Sequence, residues 1–206
     1  MTALRPGKIV CVGRNYVDHA KELGNDVPKA PLLFLKPTSS LLAPGGTIVL
    51  PPASKQVEYE GEIGVVVGAR LHHVDEATAG RSIRGLCAVN DVTARDLQKS
   101  DGQWTRAKGF DTFCPVGPEV PAPADLSGVT VVTTVNGVER QRGSASQMVF
   151  GIPFLLSYIS QIMTLEPGDL VCTGTPAGVG ALAAGDTVEV QLIGLSAVSN
   201  TVKAEG

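Results

Sequence analysis

The run Glu58-Tyr-Glu-Gly-Glu-Ile-Gly-Val-Val-Val67 decides the predicted fold, because two hydropathy patterns meet in it. Its first half carries an acidic residue at every second position, and its second half is almost continuously apolar. This combination predicts a β-strand that enters a buried core. Residues two apart in a strand point to the same face, so Glu58, Glu60 and Glu62 share one face of the predicted strand.

These carboxylates have two interpretations. Neighbouring carboxylates repel one another unless a cation lies between them, and hard divalent cations prefer such oxygen ligands. A short alternating acidic pattern is equally typical of a solvated sheet face. The run by itself leaves both interpretations open.

The patterns around this run predict short strands with a few helices between them. Strands are predicted at residues 8–12, 31–35, 47–50, 85–90, 129–135, 138–141, 169–172, 187–193 and 200–203. Helices are predicted at residues 16–23, 74–83 and 152–163, with a helical turn at 91–98 and loops at 99–112 and 115–123. Asn136-Gly137 predicts a hairpin with a type I′ turn. The chain is therefore expected to be mainly β with a few helices, in one domain spanning residues 1–206.

The composition excludes several classes of protein. The 206 residues are 43% hydrophobic and 18% charged, which favours a buried core over a disordered chain. A net charge of −3 without a basic stripe argues against nucleic-acid binding. No apolar run is long enough for a membrane span, and residues 1–7 lack a signal-peptide pattern, so a cytoplasmic protein is expected. The four cysteines are widely spaced, which favours buried, reduced thiols over a zinc site.

A third carboxylate, Asp91, follows the apolar residues 86–89. An aspartate at the end of a strand can face a site or cap a helix, and both roles fit this position. Together with Glu60 and Glu62 it would form a three-carboxylate site for a hard cation. Such a site leaves coordination positions for water and substrate, as Mg²⁺ prefers.

His19 and Glu22 lie three residues apart on a predicted helix and therefore share a face. A carboxylate bonded to one imidazole nitrogen makes the other nitrogen a better base. The same spacing also fits an exposed ion pair. Gly24, just beyond, would let this segment move as a lid.

Several further side chains are candidates for binding an anionic substrate. Lys108 could pair with a substrate carboxylate or stabilise an enolate, although a lysine in this position could also lie on the surface. The other candidates are Arg14, Arg95, Arg106 and Gln98. The glycine-rich residues 174–180 lack the Lys-Ser/Thr of a phosphate loop, so a tight turn facing the substrate is predicted there. The pair His72-His73 is predicted to lie on the surface.

Five of these segments resemble motifs of the fumarylacetoacetate hydrolase family. They occur in the family's order, at residues 11–19, 60–66, 90–96, 108–115 and 170–180. The resemblance extends from about residue 8 to residue 203 and is closest to the short, single-domain acylpyruvate hydrolases. It implies a mixed β-roll or sandwich of the type found in the family's C-terminal domain, often assembled as a homodimer.

The resemblance also implies roles for individual residues. Mg²⁺ or Mn²⁺ would be bound by Glu60, Glu62 and Asp91, whereas Glu58 falls outside this ligand set. His19 and Glu22 would form a water-activating dyad on a lid. The residues expected to contact the substrate are Lys108, Arg95, Gln98 and Thr175.

The activity expected from this resemblance is hydrolysis of a C–C bond in an acylpyruvate such as fumarylpyruvate or acetylpyruvate, with release of pyruvate. Decarboxylation of oxaloacetate and isomerisation of a 2-hydroxyhepta-2,4-diene-1,7-dioate-type substrate need the same stabilised enolate, and the named residues do not separate the three reactions. A non-catalytic metal- or ligand-binding protein is a further alternative. It is less consistent with the sequence because a pure binding protein needs no base.

Overall fold

The computed structural model describes residues 4–22, 24 and 26–206. The helices are α1 (Val17–Glu22), α2 (Glu76–Arg81), α3 (Arg95–Asp101), α4 (Thr105–Lys108) and α5 (Ile152–Ser160). The strands are β1 (Ile9–Gly13), β2 (Leu32–Lys36), β3 (Leu41–Leu42), β4 (Thr47–Leu50), β5 (Val57–Tyr59), β6 (Gly61–Val67), β7 (Ile83–Asn90), β8 (Thr93–Ala94), β9 (Cys114–Pro115), β10 (Thr130–Val135), β11 (Val138–Ser144), β12 (Leu170–Cys172), β13 (Gly180–Ala181), β14 (Thr187–Leu192) and β15 (Ser196–Ala204). Strands thus dominate the described chain, as predicted.

Two five-stranded sheets form the framework. One has the strand order β2-β1-β12-β6-β7, and the other has the order β11-β10-β14-β15-β4. Each contains one parallel pair, β1 with β12 and β4 with β15, among antiparallel neighbours. The mixed β architecture expected from the sequence is therefore confirmed.

The main core lies between these two sheets. Ile63 and Val65 of β6 pack in the same cluster as Val131 of β10 and Val190 of β14. The opposite face of β6 is covered as well, because Val66 lies in a second apolar cluster with all four cysteines. These cysteines are buried and free, which confirms the prediction of reduced thiols.

The run at residues 58–67 is two strands and not the single strand that its hydropathy predicts. β5 belongs to a three-stranded sheet with β13 and β8, whereas β6 lies inside the first five-stranded sheet. The break falls at Glu60, whose amide donates to Asn90 Oδ1 at 3.0 Å and whose carbonyl accepts from the amide of Asp91 at 2.8 Å. These two bonds hold Glu60 beside Asp91.

The predicted hairpin is confirmed. Asn136 and Gly137 join β10 to β11 with φ angles of 52° and 77°, as a type I′ turn requires. The Asn136 side chain also bonds to Asp186 and to the amide of Thr187, which fixes the turn against the start of β14.

Other element boundaries differ from the prediction. The predicted helical turn at 91–98 begins only at Arg95, since Thr93 and Ala94 pair with β5. The predicted loop at 99–112 contains the end of α3, which stops at Gly102 with φ +69°, and also α4. The predicted short strand at 200–203 is the last part of the nine-residue β15. These segments are defined by long-range strand pairing and packing, which local periodicity does not report.

The predicted helices are present but shorter. α2 spans Glu76–Arg81, and β7 takes over at Ile83; α5 ends at Ser160 instead of residue 163. Within the predicted helix at 16–23, α1 covers Val17–Glu22, and Leu23 and Asn25 lie outside the described residues. Among the residues that the structure describes, no helix has the length and apolar character needed to cross a bilayer.

Candidate metal centre and active site

Three carboxylates converge at the break between β5 and β6. Glu60, Glu62 and Asp91 each place an oxygen within 4.8 Å of the other two. All three are buried, so the interpretation of this pattern as a solvated strand face is wrong. Glu62 comes from β6, Glu60 from the break that precedes it, and Asp91 from the residue that follows β7.

Two buried lysines neutralise part of this negative charge. Lys108 Nζ lies 2.7 Å from Glu60 Oε2 and 2.6 Å from Asp91 Oδ2. Lys36 Nζ donates to Asp91 Oδ1 at 2.6 Å and to the carbonyl oxygen of Val92 at 3.3 Å. Lys108 is therefore not the surface lysine that the sequence allowed. Sequence reasoning missed Lys36, and its only local signal is a lysine at the end of an apolar strand.

Arg95 connects Glu60 to a fourth acidic residue. Its Nε donates to Glu58 Oε2 at 2.7 Å, one terminal nitrogen bonds to Glu60, and the other donates to Gln98 Oε1 at 2.5 Å. Glu58 is thus buried as the partner of Arg95 and lies outside the carboxylate triad, as the resemblance implies. Arg95 and Gln98 were both predicted to contact substrate, and the structure places them against each other at the edge of the triad.

The carboxylates of Glu60 and Glu62 have opposite pKa shifts. Burial alone would raise the pKa of Glu60, but the positive charges of Lys108 and Arg95 lower it below its ordinary value. Burial raises the pKa of Glu62 well above its ordinary value, and the negative charges of Asp91 and Glu60 raise it further. The hydrogen bond that Glu62 accepts from the amide of Gly174, at 2.8 Å, only partly offsets this.

This arrangement fits a divalent cation. Among the residues described, Glu62 has no ion pair with a lysine or arginine, although it is buried beside two other carboxylates. A buried carboxylate without a cation is costly, and oxygen donors in this number and spacing suit Mg²⁺ or Mn²⁺. Glu60, Glu62 and Asp91 are therefore the residues that could hold the ion.

The His19–Glu22 pair lies close to the triad. His19 is only 4% exposed whereas Glu22 is exposed, so the pair is not the fully exposed ion pair that its spacing also allowed. His19 Nδ1 lies 3.4 Å from Glu22 Oε2, and both Glu22 oxygens accept from the amide of Gly178, at 3.0 and 3.2 Å. Burial lowers the pKa of His19, and the charge of Arg95 lowers it further despite the opposing effect of Glu60. The imidazole is therefore neutral at neutral pH.

Thr175 is held in place by a residue that the sequence analysis missed. Its hydroxyl donates to the carbonyl of Gly61 at 2.8 Å and accepts from Gln141 Nε2 at 2.7 Å. Gln141 also donates to the carbonyl of Pro176 and accepts from the amide of Gly61. This buried glutamine on β11 ties the glycine-rich turn to the strand that carries Glu62.

A single cavity of about 1020 Å³ brings these groups together. Ten of the eleven candidate residues from the sequence and the resemblance line it: Arg14, His19, Glu22, Glu60, Glu62, Asp91, Arg95, Gln98, Lys108 and Thr175. Arg106 does not line it and pairs instead with Asp101 on the surface. His72 and His73 are exposed, as predicted.

Residues 8–203 match the family model described as the C-terminal domain of fumarylacetoacetate hydrolase. The chain belongs to the fumarylacetoacetate hydrolase family. The family membership expected from the five motifs is thereby confirmed. The matched residues include all three carboxylates, Glu60, Glu62 and Asp91. Divalent metal is typical of this family, and the buried triad gives it a place in this chain.

Three relatives within the family carry different descriptions. A mitochondrial oxaloacetate tautomerase of Arabidopsis thaliana is 46% identical over 202 residues, covering 95% of this chain and 91% of the relative. A mitochondrial oxaloacetate decarboxylase of Dictyostelium discoideum is 44% identical over 195 residues, covering 91% and 89%. A solved structure of 2-hydroxyhepta-2,4-diene-1,7-dioate isomerase from Mycobacterium marinum is 43% identical with a TM-score of 0.90, and the match covers 98% of this chain and 77% of that one.

Proposed function

We propose that this chain is a metal-dependent enzyme that acts on a 2-oxo dicarboxylate. It would catalyse removal and addition of a proton at the carbon beside the carbonyl group. This is keto–enol chemistry on an oxaloacetate-type or dienedioate-type substrate. The observation that carries the proposal is the position of His19. Its imidazole, whose pKa is lowered by burial, lines the same cavity as the three carboxylates.

The carboxylate side of the cavity would bind the 2-oxo acid end of the substrate. A divalent ion held by Glu60, Glu62 and Asp91 would supply Lewis acidity that makes a proton beside a carbonyl easier to remove. An ammonium group has three donor hydrogens, and Lys108 uses two of them on Glu60 and Asp91. The third is available for an oxygen of the substrate, where it would stabilise developing negative charge.

His19 would take the proton from carbon and leave the enolate. Addition of a proton to the enolate oxygen completes the conversion to the enol, and in the opposite direction the imidazolium would give its proton to carbon. A neutral imidazole can accept a proton, and Glu22, at 3.4 Å from Nδ1, would stabilise the imidazolium that results. The bonds from the Gly178 amide hold the Glu22 carboxylate in this position.

The relatives favour this chemistry over acylpyruvate hydrolysis. The tautomerase, the decarboxylase and the isomerase are all 43–46% identical to the chain, and none carries the name of an acylpyruvate hydrolase. Decarboxylation of oxaloacetate leaves the same enolate as proton removal from pyruvate, so it requires the same stabilising groups. Hydrolysis of an acylpyruvate is a second candidate because the His19–Glu22 pair could also activate a water molecule.

Oxaloacetate offers a direct test. We would add the enol form to protein with Mg²⁺ or Mn²⁺, follow its ultraviolet absorbance, and measure pyruvate separately. Metal-dependent loss of the enol without pyruvate supports tautomerisation, and pyruvate release supports decarboxylation. Release of pyruvate from acetylpyruvate but no reaction with oxaloacetate would replace the proposal with the hydrolase. His19→Gln should bind metal normally and lower tautomerisation or hydrolysis by about 10²–10⁴-fold.

The resemblance also supports an assembly and a domain organisation. We propose that residues 1–206 act as one catalytic domain, that two copies associate as a homodimer, and that the protein is cytoplasmic. Size-exclusion chromatography with light scattering gives the oligomeric state, and a mass of one chain would contradict the dimer.

A further inference from the structure

Arg14 is a cation of the cavity that the carboxylates do not neutralise. Three other cations line the cavity: Lys108 and Arg95 are held by buried acidic side chains, and Lys99 is exposed to solvent. The guanidinium of Arg14 has no ion pair or hydrogen bond with any residue in the described parts of the chain, 4–22, 24 and 26–206. A cation in a cavity without an acidic partner is available to an anionic ligand.

A chain of contacts through an aromatic pair connects Lys108 to Arg14. Lys108 Nζ lies 5.0 Å from the centre of the Phe34 ring, and that ring lies edge-on to Trp104 at 5.2 Å. Arg14 Cζ lies 6.0 Å from the centre of the Trp104 ring. All four side chains line the cavity. It therefore combines the buried carboxylates and Lys108, its inner end, with an aromatic wall and a further cation, Arg14.

The backbone holds Arg14 in this position. Arg14 has φ +58°, in the left-handed region that a residue with a side chain seldom occupies. On one side, Gly13 makes room for Trp104, since a Cβ there would lie 2.7 Å from the ring. On the other side, buried Asn15 bonds to the backbone of Phe150 and Thr173. A constrained conformation that the surroundings enforce is typical of functional sites.

We propose that Arg14 binds the distal carboxylate of an elongated 2-oxo dicarboxylate whose 2-oxo acid end lies at Glu60, Glu62 and Asp91. The aromatic wall of Phe34 and Trp104 contacts the carbon chain between the two ends. A guanidinium can bind a carboxylate through two parallel hydrogen bonds, which makes it selective for this group. The inference rests on the proposed function for the binding of the 2-oxo acid end, and it names the substrate class that the cavity accepts.

The test compares ligands that differ only at the distal end. 2-Oxoadipate and 2-oxohexanoate have equal chain length, as do 2-oxosuberate and 2-oxooctanoate; the first of each pair ends in a carboxylate and the second in a methyl group. Their affinities are measured by titration calorimetry with Mg²⁺ present, and oxalate serves as a probe of the inner end alone. Binding needs no turnover, so the result does not depend on which reaction the enzyme catalyses.

In the wild-type protein we expect the dicarboxylate of at least one pair to bind about 10- to 100-fold more tightly than its partner, as a charge-assisted contact provides. Arg14→Gln should remove this difference without changing the affinity for oxalate, and Arg14→Lys should retain part of it. Lys99→Gln is the matched control, because Lys99 also lines the cavity but is exposed. It should retain the full difference.

Equal affinities within both pairs in the wild-type protein would overturn the inference while leaving the proposed function intact. Loss of the difference in Lys99→Gln but not in Arg14→Gln would also overturn it. Failure of oxalate to bind would remove the 2-oxo acid site itself, and the inference with it. Discrimination by Arg14 without turnover of any keto acid would contradict the proposed reaction and leave the inference standing.

Discussion

The ammonium of Lys108 lies 2.6 Å from Asp91 Oδ2, with the two side chains only 2% and 0% exposed. Burial alone would lower the pKa of Lys108, but the negative charges of Asp91 and Glu60 raise it above its ordinary value. Lys108 is therefore charged at neutral pH. Its charge is part of the fold as well as of the proposed chemistry.

Replacing Lys108 should destabilise the metal-free protein. Lys108→Met leaves Glu60 and Asp91 without a shared cation, and loss of one partner of a buried ion pair costs about 3–5 kcal/mol. Urea denaturation in the presence of a chelator measures the change in the free energy of unfolding. Lys99→Met, at an exposed position, is the control and should change it by less than about 0.5 kcal/mol. Equal effects of the two substitutions would contradict the role given to the buried pair.

Removing the metal should lower the melting temperature, and Glu62 should determine the size of the effect. A ligand that binds only the folded state adds a stability of RT ln(1 + [L]/Kd). Mg²⁺ or Mn²⁺ should therefore raise the melting temperature of chelator-treated wild-type protein. Glu62→Gln should greatly reduce this shift because it removes one carboxylate ligand.

The same substitution should not destabilise the metal-free protein. Glu62 is buried beside Asp91 and Glu60 without a lysine or arginine partner in the described chain, so neutralising it removes repulsion. Gln retains an oxygen that can accept from the amide of Gly174. If the metal-free Glu62→Gln protein melts well below the metal-free wild type, the Glu62 carboxylate is stabilised by a group other than a lysine or arginine.

Protonation of His19 should make kcat/KM fall on the acidic side of the pH profile, below about pH 6.5. The ordinary pKa of histidine is about 6.5, and burial lowers that of His19. The imidazole stays neutral, and able to accept a proton, as the pH falls below this value. A pH profile of kcat/KM should therefore begin to fall only below about pH 6.5, and His19→Gln should lower kcat by about 10²–10⁴-fold at neutral pH. An acidic limb above pH 6.5 would exclude His19 as the base.

The contribution of His19 to the free energy of unfolding should also decrease as the pH falls. Its folded pKa lies below the unfolded value, so the unfolded chain binds the extra proton more readily. This stability is complete above the unfolded pKa of about 6.5 and is lost as the pH falls through the folded pKa. Denaturation at several pH values should show a weaker acid dependence in His19→Gln than in the wild type.

Gln141 should be necessary for the glycine-rich turn. Gln141→Ala leaves the amide of Gly61 and the hydroxyl of Thr175 without a side-chain partner in a buried region. An unsatisfied buried polar group costs about 1–3 kcal/mol. We expect a loss of stability of this order in urea denaturation, together with weaker binding of Mn²⁺. Gln103→Ala, at an exposed position of the cavity rim, should change neither quantity.

A large part of the site was predictable because its signals are local. The alternation at Glu60 and Glu62, the acidic residue after an apolar strand at Asp91, and the Asn136-Gly137 turn each depend on a few neighbouring residues. The resemblance assigned nine residues to one site, and all nine line one cavity. Strand periodicity, turn type and candidate ligand residues can be predicted from the sequence because each depends on residues that are close together along the chain.

Tertiary structure alone decided how the charges are matched. Lys36 meets Asp91 across 55 residues, and Gln141 meets Thr175 across 34. The break at Glu60 arises because β5 and β6 pair with different sheets, and hydropathy cannot report which strands become neighbours. Burial removes water from these groups, so each buried charge must find a partner wherever the fold provides one. Among the described residues, Glu62 has no lysine or arginine partner and Arg14 has no acidic partner, so both are left to bind a ligand or ion.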